Sequence, residues 1–592
     1  MRPVTPQERT VTAPPIVILL AVGCILAAAG DTAWAEDPAN TSPTPASTDS
    51  FTTTDLLRLK ALLATQQQQL EDQRRQMDDL RRTLDQQQRL LEKVTSPVRL
   101  CTSGDDGCTR DRTASPPAER SIGGLSASLG PTLPLKPALA PPVTLPPPAA
   151  LQTGEPPARP SIRIGDAYIT PIGFLDMTTV FRSASAGSGI GTNFGAIPFN
   201  NVPSARLTEI LPNPQNSRIG ARVDTKVHGV HVIGYWESDF LGNNPGNVAV
   251  TSNSNTFRMR LFWVDLKKDK WEVLGGQSWS LLTPGRKGIS PLPADIFYTQ
   301  VIDVNYVVGL TWGRTPQWRF VYHPSNELAA GISLEEPQQY IGGSGGQGSI
   351  TFPTNSNIAT NYANQLDNGG TTFNVPNLIP DVIGKVAWDP KTGKLAHHIE
   401  LVGLIRAFKV FNPADNRYFT APGGGGSLNM NFEVVKDLHL IGNFFASDGG
   451  GRWLFGSGPD LIIRGDGSIS PIHAYSTVSG VEYNRSKTTF YAYYGGAYFN
   501  RNTAIDLNGK LVGYGYSGAP NTQNRNIQEG TGGLIWTFWK NPNWGALQFM
   551  AQYAYYFRVP WFVAPVQPRN AHNSTVFVNL RYALPGAPPN IK

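Results

Sequence analysis

Basic side chains stand at alternate positions in several extended stretches of this chain. "SRIGARVDTKV" puts Arg218, Arg222, Asp224 and Lys226 on one face of a strand, with Ile219, Ala221, Val223 and Val227 on the other. "FRMRLFWVD" opposes Arg258 and Arg260 to Phe257, Met259, Leu261 and Trp263, and "TVFVNLRYAL" sets Thr575, Asn579 and Arg581 against Val576, Val578, Leu580, Tyr582 and Leu584. Arg319, Lys385 and Arg406 share the polar faces of their own stretches, with Arg314 at the margin of its pattern. Guanidinium groups grip carboxylates and phosphates through paired hydrogen bonds, so this pattern points to non-covalent recognition of anions. The competing reading is that these bases pair with Asp224, Glu237, Asp239 and Glu272 and merely brace a wall. The bases named here outnumber those acids, which favours a wall with a basic excess.

Covalent chemistry finds less support. "GGSGG" at 342–346 has the G-x-S-x-G form, but it lies in low-complexity sequence without the strand-to-helix turn that a nucleophile needs. His397, His398, His439 and His473 show no metal-ligand spacing and are expected at rims or in loops. There is no phosphate-binding loop or dinucleotide fingerprint. The reading is of a protein that is not an enzyme, with no cofactor, no metal and no nucleic-acid partner.

The elements that must position the bases are strands. From Ser161 onward, stretches of about 8–16 residues with alternating character are separated by breaks of two kinds. Short turns fall at 228–229, 267–270, 324–326, 390–396, 436–437, 485–487 and 540–543. Long polar loops fall near 184–213, 242–254, 282–311, 336–378, 411–424, 448–471, 501–527 and 559–570. Short and long connections alternate, as in a barrel with one rim on each side of a membrane. The expected fold of 161–592 is an all-β transmembrane antiparallel β-barrel of about sixteen strands, with lipid outside and water inside. "GGSGGQGS" and "GGGGS" read as flexible loop tips. The third long loop, "LLTPGRKGISPLPADIFYTQVID", is a candidate to fold inward and present Arg286 and Lys287 at a constriction.

Sixty glycines, 49 prolines and a charged fraction of 16% in 592 residues are unusual for a soluble enzyme. The N-terminal region is different again. Residues 1–35 combine Arg2 and Arg9, the apolar run "PPIVILLAVGCILAAAG" and the small-x-small site Ala33-Trp34-Ala35, the layout of a secretory signal peptide. A linker at 36–53 precedes a helix over 54–95, where Leu56, Leu63, Leu70, Met77, Leu84 and Leu91 recur every seven residues. That is the seam of an α-helical coiled coil, a rod of about 60 Å. Residues 96–160 form a proline-rich linker holding Cys101 and Cys108, a candidate disulfide in an exported segment. Whether the pair closes within a chain or between chains is not readable from spacing.

At "LGGQSWS" (274–280), directly after "FRMRLFWVD", the sequence resembles the DcaP-type outer-membrane porins. "NSRIGARVDTKV", "ESDFLG", "PQWRFVY", "ISLEEP" and "PDVIGKV" extend the resemblance, in the order that family shows, over about residues 180–410. It implies a homotrimer of sixteen-stranded barrels in the outer membrane of a Gram-negative bacterium, each with a periplasmic N-terminal coiled coil. It also implies passage of small anions, notably dicarboxylates including aromatic ones. By position, Arg258, Arg260, Gln277, Trp279 and Ser280 then become pore-wall or constriction residues. The chain departs from the family in its ending, "PGAPPNIK" in place of a terminal aromatic, and in its long proline linker. The expected partners are outer-membrane lipid, copies of the chain, small anionic solutes, and peptidoglycan or the periplasmic envelope through the coiled coil. A phosphate-selective or general porin, and a structural anchor tethering the envelope, are the alternatives.

Overall fold

The computed structural model describes residues 161–242, 256–296, 299–343, 348–354, 358–368, 377–455 and 457–585. The expected signal peptide, coiled-coil seam, Cys101–Cys108 pair and proline-rich linker lie outside the described residues, as does Ser344 of the G-x-S-x-G motif. Sixteen strands form one closed antiparallel barrel. In chain order they are β1 (Ala167–Arg182), β2 (Arg218–Val227), β3 (Val230–Asp239), β4 (Arg258–Lys268), β5 (Trp271–Trp279), β6 (Arg314–Tyr322), β7 (Leu328–Glu335) and β8 (Asp381–Trp388). They continue as β9 (Leu395–Asn412), β10 (Arg417–Val435), β11 (Leu438–Asp448), β12 (His473–Arg485), β13 (Thr488–Phe499), β14 (Asn524–Asn541), β15 (Gly545–Pro560) and β16 (Ala571–Ala583). Each pairs with its neighbour in sequence, and β1 pairs with β16 from Phe174↔Ala583 to Arg182↔Thr575, which leaves no free edge.

All seven expected short turns join strands at one rim. Four of them place His228, Asp269, Asp437 or Ser486 at positive φ, a tight-turn geometry in which Asp and His are better tolerated than most residues. Outward faces are apolar and exposed, among them Leu175, Ile219, Phe262, Trp318, Ile332, Leu401, Ile405, Phe490 and Leu580. A continuous apolar belt of this extent is stable against hydrocarbon rather than water. Among the described residues no helix is long and apolar enough to cross a membrane, which says nothing about strands.

Two expectations need correction. The stretch at 411–424 is no long loop: β9 and β10 run on as a hairpin to Asn412↔Arg417, closed by four residues, Pro413–Asn416. "GGGGS" is strand, with Gly423 paired to β9 and Gly424–Gly426 paired on both sides. Its glycines serve close packing, because a Cβ on Gly423 would lie 2.7 Å from the Phe408 ring and one on Gly425 would lie 2.5 Å from the Ala446 carbonyl. The second correction concerns "FRMRLFWVD". Phe257 and Met259 face outward, but Leu261 and Trp263 are buried inside beside Arg260. A β-bulge marks the switch: Glu237 and Ser238 of the partner strand pair with Leu261 and Met259, so Arg260 is the extra residue, and it flips every side chain that follows.

Gly276 sits opposite Trp263 at φ +134, and a Cβ there would meet the Phe262 carbonyl at 2.4 Å. Gly276→Val is therefore expected to cost of the order of 1–3 kcal/mol in backbone strain, in addition to the clash. The check is heat-modifiable gel migration of the purified barrel: the compact band should weaken or vanish, while Gly384→Ala, with nothing near its Cβ, should keep it.

Candidate pore constriction

The connection between β5 and β6, residues 280–313, crosses the inside of the barrel. Its backbone amides donate to inward side chains of widely separated strands. Leu281 donates to Glu335 on β7 (2.8 Å), Gly285 to Glu400 on β9 (3.0 Å), and Gln300 to the Tyr493 hydroxyl on β13 (3.0 Å). Val308 donates to Glu529 on β14 (2.9 Å), and Ile302 to Gln552 on β15. Gly309, at φ +84, lets the loop seat against β13, since a Cβ would lie 2.3 Å from the Gly496 carbonyl. Asp303 accepts from the Thr192 and Asn305 amides, tying the first long loop to the third; burial raises its carboxyl against those hydrogen bonds. Apolar side chains of other loops, including Phe194, Ile341, Tyr362, Trp453 and Ile462, join the same buried cluster. The upper barrel is thus filled largely by its own loops.

This packing decides where the sequence-selected bases go. Arg222 grips Asp224 (2.7 Å) and Lys385 holds Glu400 (3.0 Å) and the Thr283 carbonyl (2.8 Å). Arg406 lies between Asp381 (3.1 Å) and Asp460 (3.0 Å), and Arg581 binds Asp176 (2.7 Å). Arg319 donates to Gln317 (2.9 Å) and to the Trp279 carbonyl, and Arg286 pairs with Glu482 (2.8 Å). Lys287 is exposed, and so is Lys226. The expected numerical excess of bases is therefore corrected for most of the wall. Asp176, Asp381, Glu400, Asp460 and Glu482 supply the missing partners, from positions far away in sequence. Gln277 and Ser280 also serve the framework: the Gln277 amide donates to the Arg260 carbonyl (2.9 Å), and the Ser280 hydroxyl accepts from the Leu282 amide (3.0 Å). His398 lies near the short-turn rim, as expected, but faces inward and is buried between Asp389 (2.6 Å) and Glu400 (3.1 Å). Among the described residues no His, Cys, Asp or Glu group is placed to hold a metal ion.

One region keeps an excess of positive charge. The β4–β5 ladder stops at Phe262↔Gln277, so the upper ends of these strands separate. There Arg258 binds Asp239 (2.9 Å), Arg260 binds Asp239 (2.6 Å) and Glu237 (2.9 Å), and Arg218 reaches Glu237 at 3.6 Å. Arg314 joins them from β6, its guanidinium 5.5 Å from the Trp279 ring and 6.0 Å from that of Trp312. Its Nη1 is buried without a hydrogen-bond partner, and no ion pair engages it among the described residues. Tyr306 of the inward loop packs edge-on against Trp312 at 5.0 Å. Four arginines here face two carboxylates, beside a wall of stacked aromatic rings. Planar guanidiniums held in this way can exchange carboxylate partners with a passing anion. Trp312 and Tyr306 carried no periodic signal, because both lie on the loop and only its path brings them here.

Arg406 tests the bracing role. Arg406→Ala leaves Asp460 buried without its cation while Asp381 keeps Arg452 (2.8 Å), at a cost of about 3 kcal/mol. Urea unfolding of the detergent-solubilised barrel should show the lower midpoint, whereas removing the exposed Lys287 as Lys287→Ala should leave it unchanged.

No family model matches the chain, and no curated protein matches it. Among solved structures, the outer membrane channel DcaP of Acinetobacter baumannii aligns with 71% of this chain and 97% of its own, at a TM-score of 0.51 and 16% sequence identity. An anion-selective porin from Comamonas acidovorans covers 71% of this chain and 100% of its own, at TM-score 0.39 and 12% identity. OprB of Pseudomonas putida covers 70% and 94%, at TM-score 0.39 and 11% identity. The first alignment, together with the closed ladder of strands, establishes the outer-membrane porin fold.

Proposed function

We propose that this chain is a DcaP-type outer-membrane porin that passes small anionic solutes, carboxylates or dicarboxylates, by passive diffusion. It works as a homotrimer, with its N-terminal region in the periplasm. The observation that carries the reading is the cluster of Arg218, Arg258, Arg260 and Arg314 against only Glu237 and Asp239, at the root of the inward loop. Inside low-dielectric walls, fixed positive charge concentrates anions and repels cations. The aromatic surface of Trp279, Trp312 and Tyr306 beside it suits the apolar body of an organic anion. Of the other expected wall residues, Arg222, Lys385 and Arg406 brace the wall with their charge matched by carboxylates, and Arg319 does so through Gln317 and the Trp279 carbonyl.

Single-channel recording in planar bilayers tests this. The zero-current potential in a salt gradient should report anion preference. Arg258→Ser with Arg260→Ser leaves two arginines facing two carboxylates, and should lower the anion-to-cation permeability ratio about three-fold or more. Clear cation preference in the unsubstituted protein would sink the proposal. Block by a dicarboxylate that inorganic phosphate displaces only weakly separates carboxylate from phosphate selectivity.

A second reading is favoured by the density of the loop packing: a barrel anchor that tethers the envelope through the segment ahead of it and conducts little. Deleting residues 36–160 distinguishes the two. Intact conductance with unchanged envelope integrity is expected for a porin, whereas lost integrity beside negligible conductance in both forms would establish the anchor.

A further inference from the structure

The two rims of the barrel differ in how their bases are used. Inside, most buried bases are matched to carboxylates, and Arg319 and Arg558 are held by carbonyl and amide oxygens. At the short-turn rim they are not. Four consecutive turns, β8–β9 to β14–β15, carry Lys391, Lys394, Lys436, Arg485, Lys487 and Lys540, all exposed. Among the described residues none of the six takes part in an ion pair. The nearby carboxylates are fewer and partly engaged. Asp389 is taken up by His398 and the Gly288 amide, and Glu433 accepts from the Ala396 and Asp437 amides. The long connections, by contrast, hold only two lysines, Lys287 and Lys510, and their exposed arginines, Arg206, Arg464, Arg501 and Arg569, are spread over four separate loops.

Immediately beside these bases, on the outward face and in the last of the turns, stand Trp388, Trp536, Trp539 and Trp544, all exposed. Tryptophan favours the boundary between hydrocarbon and water, because its ring is apolar and its N–H is polar. The tryptophans therefore fix the depth of this arc at the level of lipid headgroups. At that depth an unpaired lysine sits within reach of phosphodiester oxygens, and its stem can lie along the apolar belt. A rim meant only for solvation would need no such concentration of one sign on one side.

We propose that the arc from Lys391 to Lys540 is a docking surface for acidic phospholipid headgroups in the leaflet that the short turns face. It rests on the reading of the chain as an outer-membrane barrel. The ligand chemistry is a phosphodiester carrying net negative charge, preferred over a zwitterionic headgroup because the six bases outnumber the three carboxylates beside them, Asp389, Glu433 and Asp437, the first two already engaged.

The test uses the full chain in vesicles of equal parts phosphatidylcholine and phosphatidylglycerol, with bromine on the acyl chains of one lipid at a time. Quenching of tryptophan fluorescence then reports which lipid contacts the rim. Brominated phosphatidylglycerol should quench about two-fold more strongly than brominated phosphatidylcholine, and salt should screen the difference. In the R485Q/K487Q/K540Q variant, whose exposed turns leave the ladder intact, the ratio should fall close to one. A K391Q/K394Q/K436Q variant should lower it too, which guards against a folding defect in either. A ratio of one in the unsubstituted protein, or a ratio unaltered by both variants, overturns the proposal. Equal quenching accompanied by retention on peptidoglycan that the variants lose would assign the arc to a wall polymer instead. Quenching by neither lipid would overturn the membrane-barrel reading itself, and the proposal with it.

Discussion

Closure of the hydrogen-bond ladder between β1 and β16 is the constraint from which the rest of this structure follows. A strand surrounded by hydrocarbon has no water to satisfy its amides and carbonyls, so an open sheet edge is not viable there. The nine pairs from Phe174↔Ala583 to Arg182↔Thr575 remove that edge. Once the cylinder is closed, the period of two in each strand assigns every side chain to hydrocarbon or to the interior. The apolar belt outside and the polar residues inside are two consequences of one closure.

The interior then faces its own difficulty, which is charge. Loops that fold into a barrel displace water, and a guanidinium without water requires a carboxylate. Arg406 between Asp381 and Asp460, Lys385 on Glu400 and Arg222 on Asp224 each solve this locally. The same acids do double duty, because Glu335, Glu400 and Glu529 also receive backbone amides of the inward loop. Charge neutrality and loop position are therefore coupled. Where β4 and β5 part, the matching stops, and Arg314 is held by aromatic faces instead of a carboxylate. Local failure of the ladder and local excess of positive charge occur in the same place.

The ends of the barrel express the same physics differently. Long connections turn inward, and their bases are arginine except for the exposed Lys287 and Lys510. Short turns remain outside, where bases can stay solvated or meet charged headgroups. The split between paired arginine within and unpaired lysine at the rim follows the character of the two cations. Arginine offers a planar fork suited to burial, while lysine is a compact, strongly hydrated charge.

What the sequence alone determined was everything that depends on near neighbours. Alternation over ten residues reads out the two faces of a strand, and Asp, Ser and His beside Gly or Lys mark the tight turns, so the strand number and all seven short connections were legible. Arg258 and Arg260 were legible as polar-face residues for the same reason, whereas Trp279 entered only through the family resemblance. The tertiary structure alone decided whatever depends on which strands become neighbours. No spacing announces that Asp460 will reach Arg406, that Asp176 will meet Arg581, or that Tyr306 will stand against Trp312. "GGGGS" has the composition of a loop, and only the approach of Phe408 and Ala446 shows why glycines belong in that strand. A bulge at Arg260 reversed Leu261 and Trp263, since one added residue is invisible to a period-two pattern but inverts all that follows. Local periodicity is encoded residue by residue, whereas charge pairing across a closed barrel exists only once the barrel has closed.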